Sequence, residues 1–537
     1  MGRVKLHTRK TNTMLHNVLI NGEWRASSGT ATFNAVNPAT CEPIDGDYPV
    51  SPWEEVEQAI EASAAASREM RGWPGERFAA FLEKFADRIE ARADELVALA
   101  NQETALPVSP RLKDGELPRT TDQLRQAASA AREGSWATPT IDTKANIRSM
   151  HGPIGPVAVF GPNNFPFAFN SVAGGDFAAA VAAGNPVIAK GHSSHPGTTR
   201  LLTEEAFAAA QATSMPTGFV QLIYRTSHDD GCKFVGHADV GAIGYTGSRS
   251  AGLRLKEAAD RSGNPIYLEL SSINPVFILP GALTERSDEI AGDFSGSCLM
   301  GTGQFCTNPG MVVLIAGEKT DSFVTAVAEK FSAAPVGTFL SEAVQKGFLS
   351  GVSALKDAGA ELIVGGEAGG GSGFCCQNTL LKVDGTKFLE NPEALQAEAF
   401  GNGSLFVIAA DAAQAEQIAE SLEGNLTGCI YSATDGSDDS VYDQIAPALR
   451  TKVGRLLDDK MPTGVAVSSA MNHGGPFPAT GHPVFTAVGM PQSIYRYSML
   501  QSYDAIRCHR LPASLRDEAP NETCWRYVDG NWRQGSL

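Results

Sequence analysis

Pro156-Val-Ala-Val-Phe-Gly-Pro-Asn-Asn-Phe-Pro-Phe167 opens as a short apolar run and breaks into a polar loop. Five residues are too few for a helix, and Gly161-Pro162 punctuates the run, so it reads as a buried strand. The surrounding window, 152–175, carries no charged residue and has the length of a membrane span. It also holds Pro153, Pro156, Pro162 and Pro166 with Asn163, Asn164 and Asn170. A bilayer offers no partner to so broken a backbone. The window therefore reads as strand, loop and helix start inside a water-soluble α/β unit.

Downstream, the apolar runs Val187–Ala189, Gly218–Tyr224, Val240–Tyr245 and Ile266–Leu270 alternate with helix-like stretches such as Thr198–Gln211 and Ser248–Ala259. Such alternation predicts βαβ units and a parallel sheet, with ligands beyond the carboxyl ends of its strands. Upstream, residues 54–105 read as helical, with Phe78, Phe81, Leu82, Phe85, Ile89, Leu96 and Leu99 as the core-facing stripe. A second alternating block runs from about 275 to 470, through Pro275–Leu279, Met311–Ala316, Leu362–Val364, Leu405–Ile408 and Val465–Ser468. Gly365–Gly373 reads as a mobile surface loop; it lacks the lysine of a phosphate-binding loop.

Composition bounds the function. The chain has 537 residues and a formal charge of −17, which argues against nucleic acid or an anionic membrane as its main partner. Nine cysteines without Cys-x-x-Cys spacing suit free thiols in a reducing, cytoplasmic setting. Arg3, Lys5, Arg9 and Lys10 precede no apolar stretch, so no secretory signal is expected. The chain has no Gly-x-Ser-x-Gly elbow, no His-Glu-x-x-His and no Gly-x-Gly-x-x-Gly after a strand. His192 and His195 read as loop and helix-start residues, and no metal is expected.

Three segments carry chemistry together: Gly161-Pro-Asn-Asn-Phe-Pro-Phe167, Tyr267-Leu-Glu-Leu-Ser-Ser-Ile-Asn-Pro275 and Gly301-Thr-Gly-Gln-Phe-Cys-Thr-Asn-Pro309. In this order they resemble the aldehyde dehydrogenase superfamily, from about Val18 to about Ala505. Gly303–Gly310, Val172–Asp176, His195–Thr198 and His473–Thr480 are similar to the branch of α-ketoglutarate semialdehyde (2,5-dioxopentanoate) and NADP-dependent fatty aldehyde dehydrogenases.

The resemblance implies two Rossmann-like parallel-sheet domains and a small oligomerisation hairpin. The dinucleotide-binding domain would span 15–139 and 159–275, and the catalytic domain 276–484. The bridging segment would use 140–158 and 485–507; the tail 508–537 receives no role. A homodimer or homotetramer is expected. Cys306 would add to the aldehyde carbonyl, since a thiolate is nucleophilic near neutral pH. The Asn164 amide and the Cys306 N–H would hold the oxyanion, each such donor being worth ~3–4 kcal/mol of barrier. Glu269 would act as base for the water that hydrolyses the thioester, worth ~10²–10⁴-fold.

For the cofactor, Thr246-Gly247-Ser248 follows a strand and opens a helix whose N-terminus suits a pyrophosphate. By resemblance Lys190 contacts the adenosine ribose, Glu398 the nicotinamide ribose, and Phe400 packs by the nicotinamide. Asn402 stands where the family often carries proline. NAD-specific members often have a glutamate at the position of Ser193; a serine admits a 2′-phosphate, with which Arg225 can pair. NADP is thus the preferred cofactor and NAD a second. Phe165, Phe167 and Phe477 are candidate walls for the substrate. Medium-chain or fatty aldehydes are the rival substrates. A non-catalytic dinucleotide-binding protein is the rival class, against which the joint presence of Cys306, Glu269, Asn164 and Lys190 speaks.

Overall fold

The computed structural model describes residues 14–537. The basic residues from Arg3 to Lys10, and the expectation drawn from them, lie outside the described residues. Three helices, Trp53–Glu69, Gly75–Ala91 and Ala93–Thr104, occupy the predicted helical stretch, and the Phe78 to Leu96 stripe is buried.

The decisive run forms strand Val157–Phe160, buried throughout, the middle one of the five parallel strands in a seven-stranded sheet. Continuous burial on both faces is what a parallel strand between helical layers requires. The order runs Ile266–Glu269, Ala242–Thr246, Val157–Phe160, Val187–Lys190, Val220–Ile223, then Val18–Ile20 and Glu23–Arg25. The first five are parallel, and Val18–Ile20 closes the edge antiparallel to Val220–Ile223. Register aligns Lys190 with Phe160 and with Ile223, and Thr246 with Glu269. The loop after Phe160, Lys190, Arg225, the Thr246–Ser248 turn and Glu269 therefore share one carboxyl edge.

A second seven-stranded sheet runs Glu361–Val364, Thr379–Asp384, Gly403–Ala409, Met311–Ile315, Val276–Ile278, Asn425–Tyr431 and Val453–Asp458. All its pairings are parallel except that of Glu361–Val364 with Thr379–Asp384. The apolar run Val465–Ser468 is not a strand here. It lies in the loop 459–491, where Val465 and Val467 pack on an aromatic cluster. The glycine-rich stretch is an exposed surface loop, held by a bridge that pairs Ala368 with Cys376 and, just after it, by the Phe374 N–H on the Pro38 carbonyl.

A third sheet pairs Ser498–Asp504 with Ile147–Pro153 and then with Thr140–Asp142. The tail joins it: Arg526–Val528 pairs parallel with Thr140–Asp142, and Asn531–Arg533 forms the far edge. Among the described residues no helix is long and apolar enough to cross a membrane, and all nine cysteines are unpaired.

Candidate active site

The first sheet presents its carboxyl edge to the amino edge of the second. Glu269 ends a strand of the first, while the Cys306 loop leads into strand Met311–Ile315 of the second. Asn274 ties the two. It sits at φ +49°, and its Nδ2 donates to the Cys306 carbonyl at 2.9 Å and to that of Asn308 at 2.9 Å. Asn425 Oδ1 accepts from the N–H groups of Ile273 and Asn274, so the polar strand Asn425–Tyr431 serves the site. Neither Asn274 nor Asn425 received a role from the sequence.

Gly303 shows how closely the cysteine loop approaches the 398–402 loop. At φ +67°, any Cβ there would stand 2.0 Å from the Gly401 carbonyl oxygen. Asn402 is buried; its amide donates to the Cys376 carbonyl and to Asn378 Oδ1, so an asparagine anchors this loop where proline was the expectation.

Cys306 faces a residue that sequence reasoning missed. His473 Nε2 lies 3.4 Å from Cys306 Sγ and 2.9 Å from Glu269 Oε1. A carboxylate only accepts, so Nε2 carries the proton. That N–H, held by Glu269, is also the donor a Cys306 thiolate finds. The motif His473–Thr480 arrives here because it pairs with the end of the Glu269 strand, through the Glu269–Thr480 bridge and the Leu270 N–H to the Ala479 carbonyl. Phe169 packs 5.9 Å from the His473 ring.

Burial pushes the Cys306 thiol well above its usual range, and the Glu269 charge adds to this. Burial would also raise Glu269, but His473 and the thiol together hold its carboxyl below the usual value. The resting site is therefore a thiol beside an ionised glutamate. Glu269 Oε2 is buried without a hydrogen-bond partner, a free acceptor at the reacting centre. Thiol, imidazole and carboxylate lie within 4.8 Å of one another. These donor types also suit zinc; here the imidazole N–H is committed to the carboxylate.

Asn164 is buried on the other side of the thiol loop. Its Nδ2 donates to the Gln304 carbonyl at 3.0 Å, which leaves a second N–H. Among the described residues the Cys306 N–H meets no acceptor. Arg111 fixes the loop by donating to the Asn164 carbonyl at 2.9 Å.

The aromatic candidates separate. Phe165 stays at the site, 5.1 Å from Phe169 and 5.7 Å from Phe305. Phe167 does not: it is fully buried in the core of the first sheet, because residues 166–169 form a turn that sets Phe165 and Phe169, four apart, on one side and Phe167 on the other. Phe477 is 58% exposed, and its carbonyl accepts from Gly424, so it lines no enclosed wall.

The cofactor candidates lie along the same edge. Ser248 is the extended residue before helix Arg249–Ser262 and makes no side-chain cap, which leaves the first N–H groups free for an anion. Lys190 has no acceptor among the described residues; burial, then Arg225, pushes its ammonium down to about 8. Ser193 and Arg225 are exposed, and the Arg225 guanidinium lies over Phe33. Glu398 and Phe400 line a cavity with Ser272 and Gly303, and burial pushes Glu398 up to about 7. A free helix end, an unpaired lysine and a poised carboxyl fit a dinucleotide.

The profile of the aldehyde dehydrogenase family matches residues 24–456. The chain is 39% identical to "Alpha-ketoglutaric semialdehyde dehydrogenase 2" of Azospirillum brasilense, over 94% of this chain and 97% of that protein. It is 35% identical to "Alpha-ketoglutaric semialdehyde dehydrogenase" of Acinetobacter baylyi, over 93% and 96%. Among solved structures, lactaldehyde dehydrogenase from Escherichia coli superposes with a TM-score of 0.79 at 23% identity, covering 91% of this chain and 99% of that one.

Proposed function

The chain belongs to the aldehyde dehydrogenase family and oxidises an aldehyde to its acid with a nicotinamide dinucleotide; from that premise we propose that the aldehyde is 2,5-dioxopentanoate and the preferred oxidant NADP. One observation carries the mechanism: a cysteine, a histidine and a glutamate converge where the two sheets meet.

The Cys306 thiol passes its proton to the adjoining Glu269–His473 pair and adds to the carbonyl carbon. The Cys306 N–H and the free Asn164 N–H hold the oxyanion. The bound cofactor supplies the hydride acceptor. Collapse of the oxyanion leaves a thioester on Cys306. The Glu269–His473 pair then releases the thiol proton to solvent; Glu269 Oε2 takes a proton from the water that attacks the thioester, and passes it to the leaving Cys306 sulfur as the acid is freed. Lys190 and Arg225 would face the 2′-phosphate of NADP; the missing carboxylate at Ser193 supports that preference.

The substrate rests on the two relatives named for α-ketoglutaric semialdehyde. Domain assignments follow the sheets: cofactor on the first, thiol loop on the second, and subunit pairing as a dimer or tetramer through the third. Nine unpaired cysteines support a cytoplasmic setting.

The test is cofactor reduction by the purified protein with 2,5-dioxopentanoate under NADP and under NAD, beside Cys306→Ala. The expected result is rapid reduction, favoured by NADP and lost in the variant. Turnover of hexanal alone would keep the mechanism and replace the substrate. Cofactor binding without turnover of any aldehyde would overturn both.

A further inference from the structure

Arg119 is a cation of this site that, among the described residues, has neither a counter-ion nor a partner for one of its Nη groups. Arg111 is already used, with Nη1 2.9 Å from the Glu116 carboxylate and Nη2 on the Asn164 carbonyl. Arg455 spends its Nη groups on the carbonyls of Pro462 and Gly464 and on the Met471 sulfur. Arg119 donates Nη1 to the Val465 carbonyl at 3.0 Å and Nε to Gln123 at 3.4 Å. It makes no ion pair among the described residues, and its Nη2 is buried with no partner.

The guanidinium lies 5.4 Å from the Phe169 ring centre and 5.8 Å from that of Phe165. Phe169 packs on His473, which touches Cys306. The charge of Arg119 bears on both Cys306 and Glu269. A positive fork thus stands one aromatic ring from the nucleophile, with its Nη2 buried and unpaired.

We infer that Arg119 anchors the distal carboxylate of the substrate, so that this site selects short aldehydes with an anionic end over neutral aldehydes of the same length. The inference rests on the aldehyde-oxidising reading and adds a specificity residue to it. Guanidinium matches carboxylate in shape and charge. A neutral aldehyde leaves Nη2 unsatisfied, and sites built to bond a polar group reject analogues that lack it. Phe165 and Phe169 would cover the methylenes between the two ends.

Arg119 also favours the Cys306 thiolate, so its removal slows every aldehyde. The diagnostic quantity is therefore the ratio of kcat/KM for 2,5-dioxopentanoate to that for pentanal, in wild type, Arg119→Met and Arg119→Lys. The ratio should fall about 10- to 100-fold in Arg119→Met, the range expected for one charged hydrogen bond, and less in Arg119→Lys. A second readout needs no turnover: glutarate should protect Cys306 of the wild type from iodoacetamide and fail to protect Arg119→Met. Equal losses for both aldehydes, with glutarate protection intact, would overturn the inference. If the wild type oxidised neither aldehyde, the parent reading would fall, and glutarate protection would still decide whether Arg119 holds an anion. Should Arg119→Met not fold, Arg119→Lys carries both readouts.

Discussion

Lys190 ends its strand with an ammonium held at about 8, by burial first and Arg225 second. Below that pH it is charged and, with Arg225, offers two positive charges to a 2′-phosphate. Above it the charge is lost. The KM for NADP should therefore rise as pH passes about 8, and that for NAD should change less. Glu398, pushed up to about 7 by burial, has the opposite sign. Its carboxylate form grows as pH rises through 7, so both cofactors should bind more tightly between pH 6 and 8 if ribose hydroxyls donate to it. KM profiles for NADP and NAD from pH 6 to 9 check both trends. Cys306 and Glu269 were legible because each stood in a motif of its own. His473 stood in a motif too, but its role was not legible, because that role comes from a loop that pairs with a strand two hundred residues earlier.

Among the elements, Glu116 connects helix packing to catalysis. Its Oε1 accepts the N–H groups of Phe167 and Ala168 at 2.8 and 3.0 Å, and its other oxygen meets Arg111. Glu116→Ala would leave Arg111 without its buried counter-ion and release the Asn164 loop. Breaking such a pair costs about 3–5 kcal/mol. The expected outcome is a lowered melting temperature together with a fall in kcat beyond tenfold, measured by thermal unfolding and steady-state rates. The parallel strands of the first sheet were legible because burial on both faces forces apolar runs. Strand Asn425–Tyr431 escaped notice for the opposite reason. It is buried throughout, yet Asn425 and Thr427 face the site loop and hydrogen-bond Asn274 and its neighbours. Val465–Ser468 misled in turn: its valines are apolar because they cover the aromatic cluster, not because they pair in a sheet.

For the whole molecule, the tail completes the third sheet. Ile141, Leu511, Leu515 and Val528 form a small core, and Arg526 is fully buried. Removing residues 508–537 would expose that core and the edge of Thr140–Asp142. A lower melting temperature and association through the bare edge should follow, seen by calorimetry and light scattering. The tail had no sequence account because its partner strand lies almost four hundred residues away, and short strands of three residues leave no periodicity.

The central claim is that Cys306 carries the acyl group and Glu269 removes it. Rapid mixing of Glu269→Gln with NADP and 2,5-dioxopentanoate tests it most directly. The prediction is one equivalent of reduced cofactor per active site, then slow turnover, with the acyl group found on Cys306 by mass spectrometry. Undiminished steady turnover by Glu269→Gln, with no acyl group on Cys306, would contradict the account.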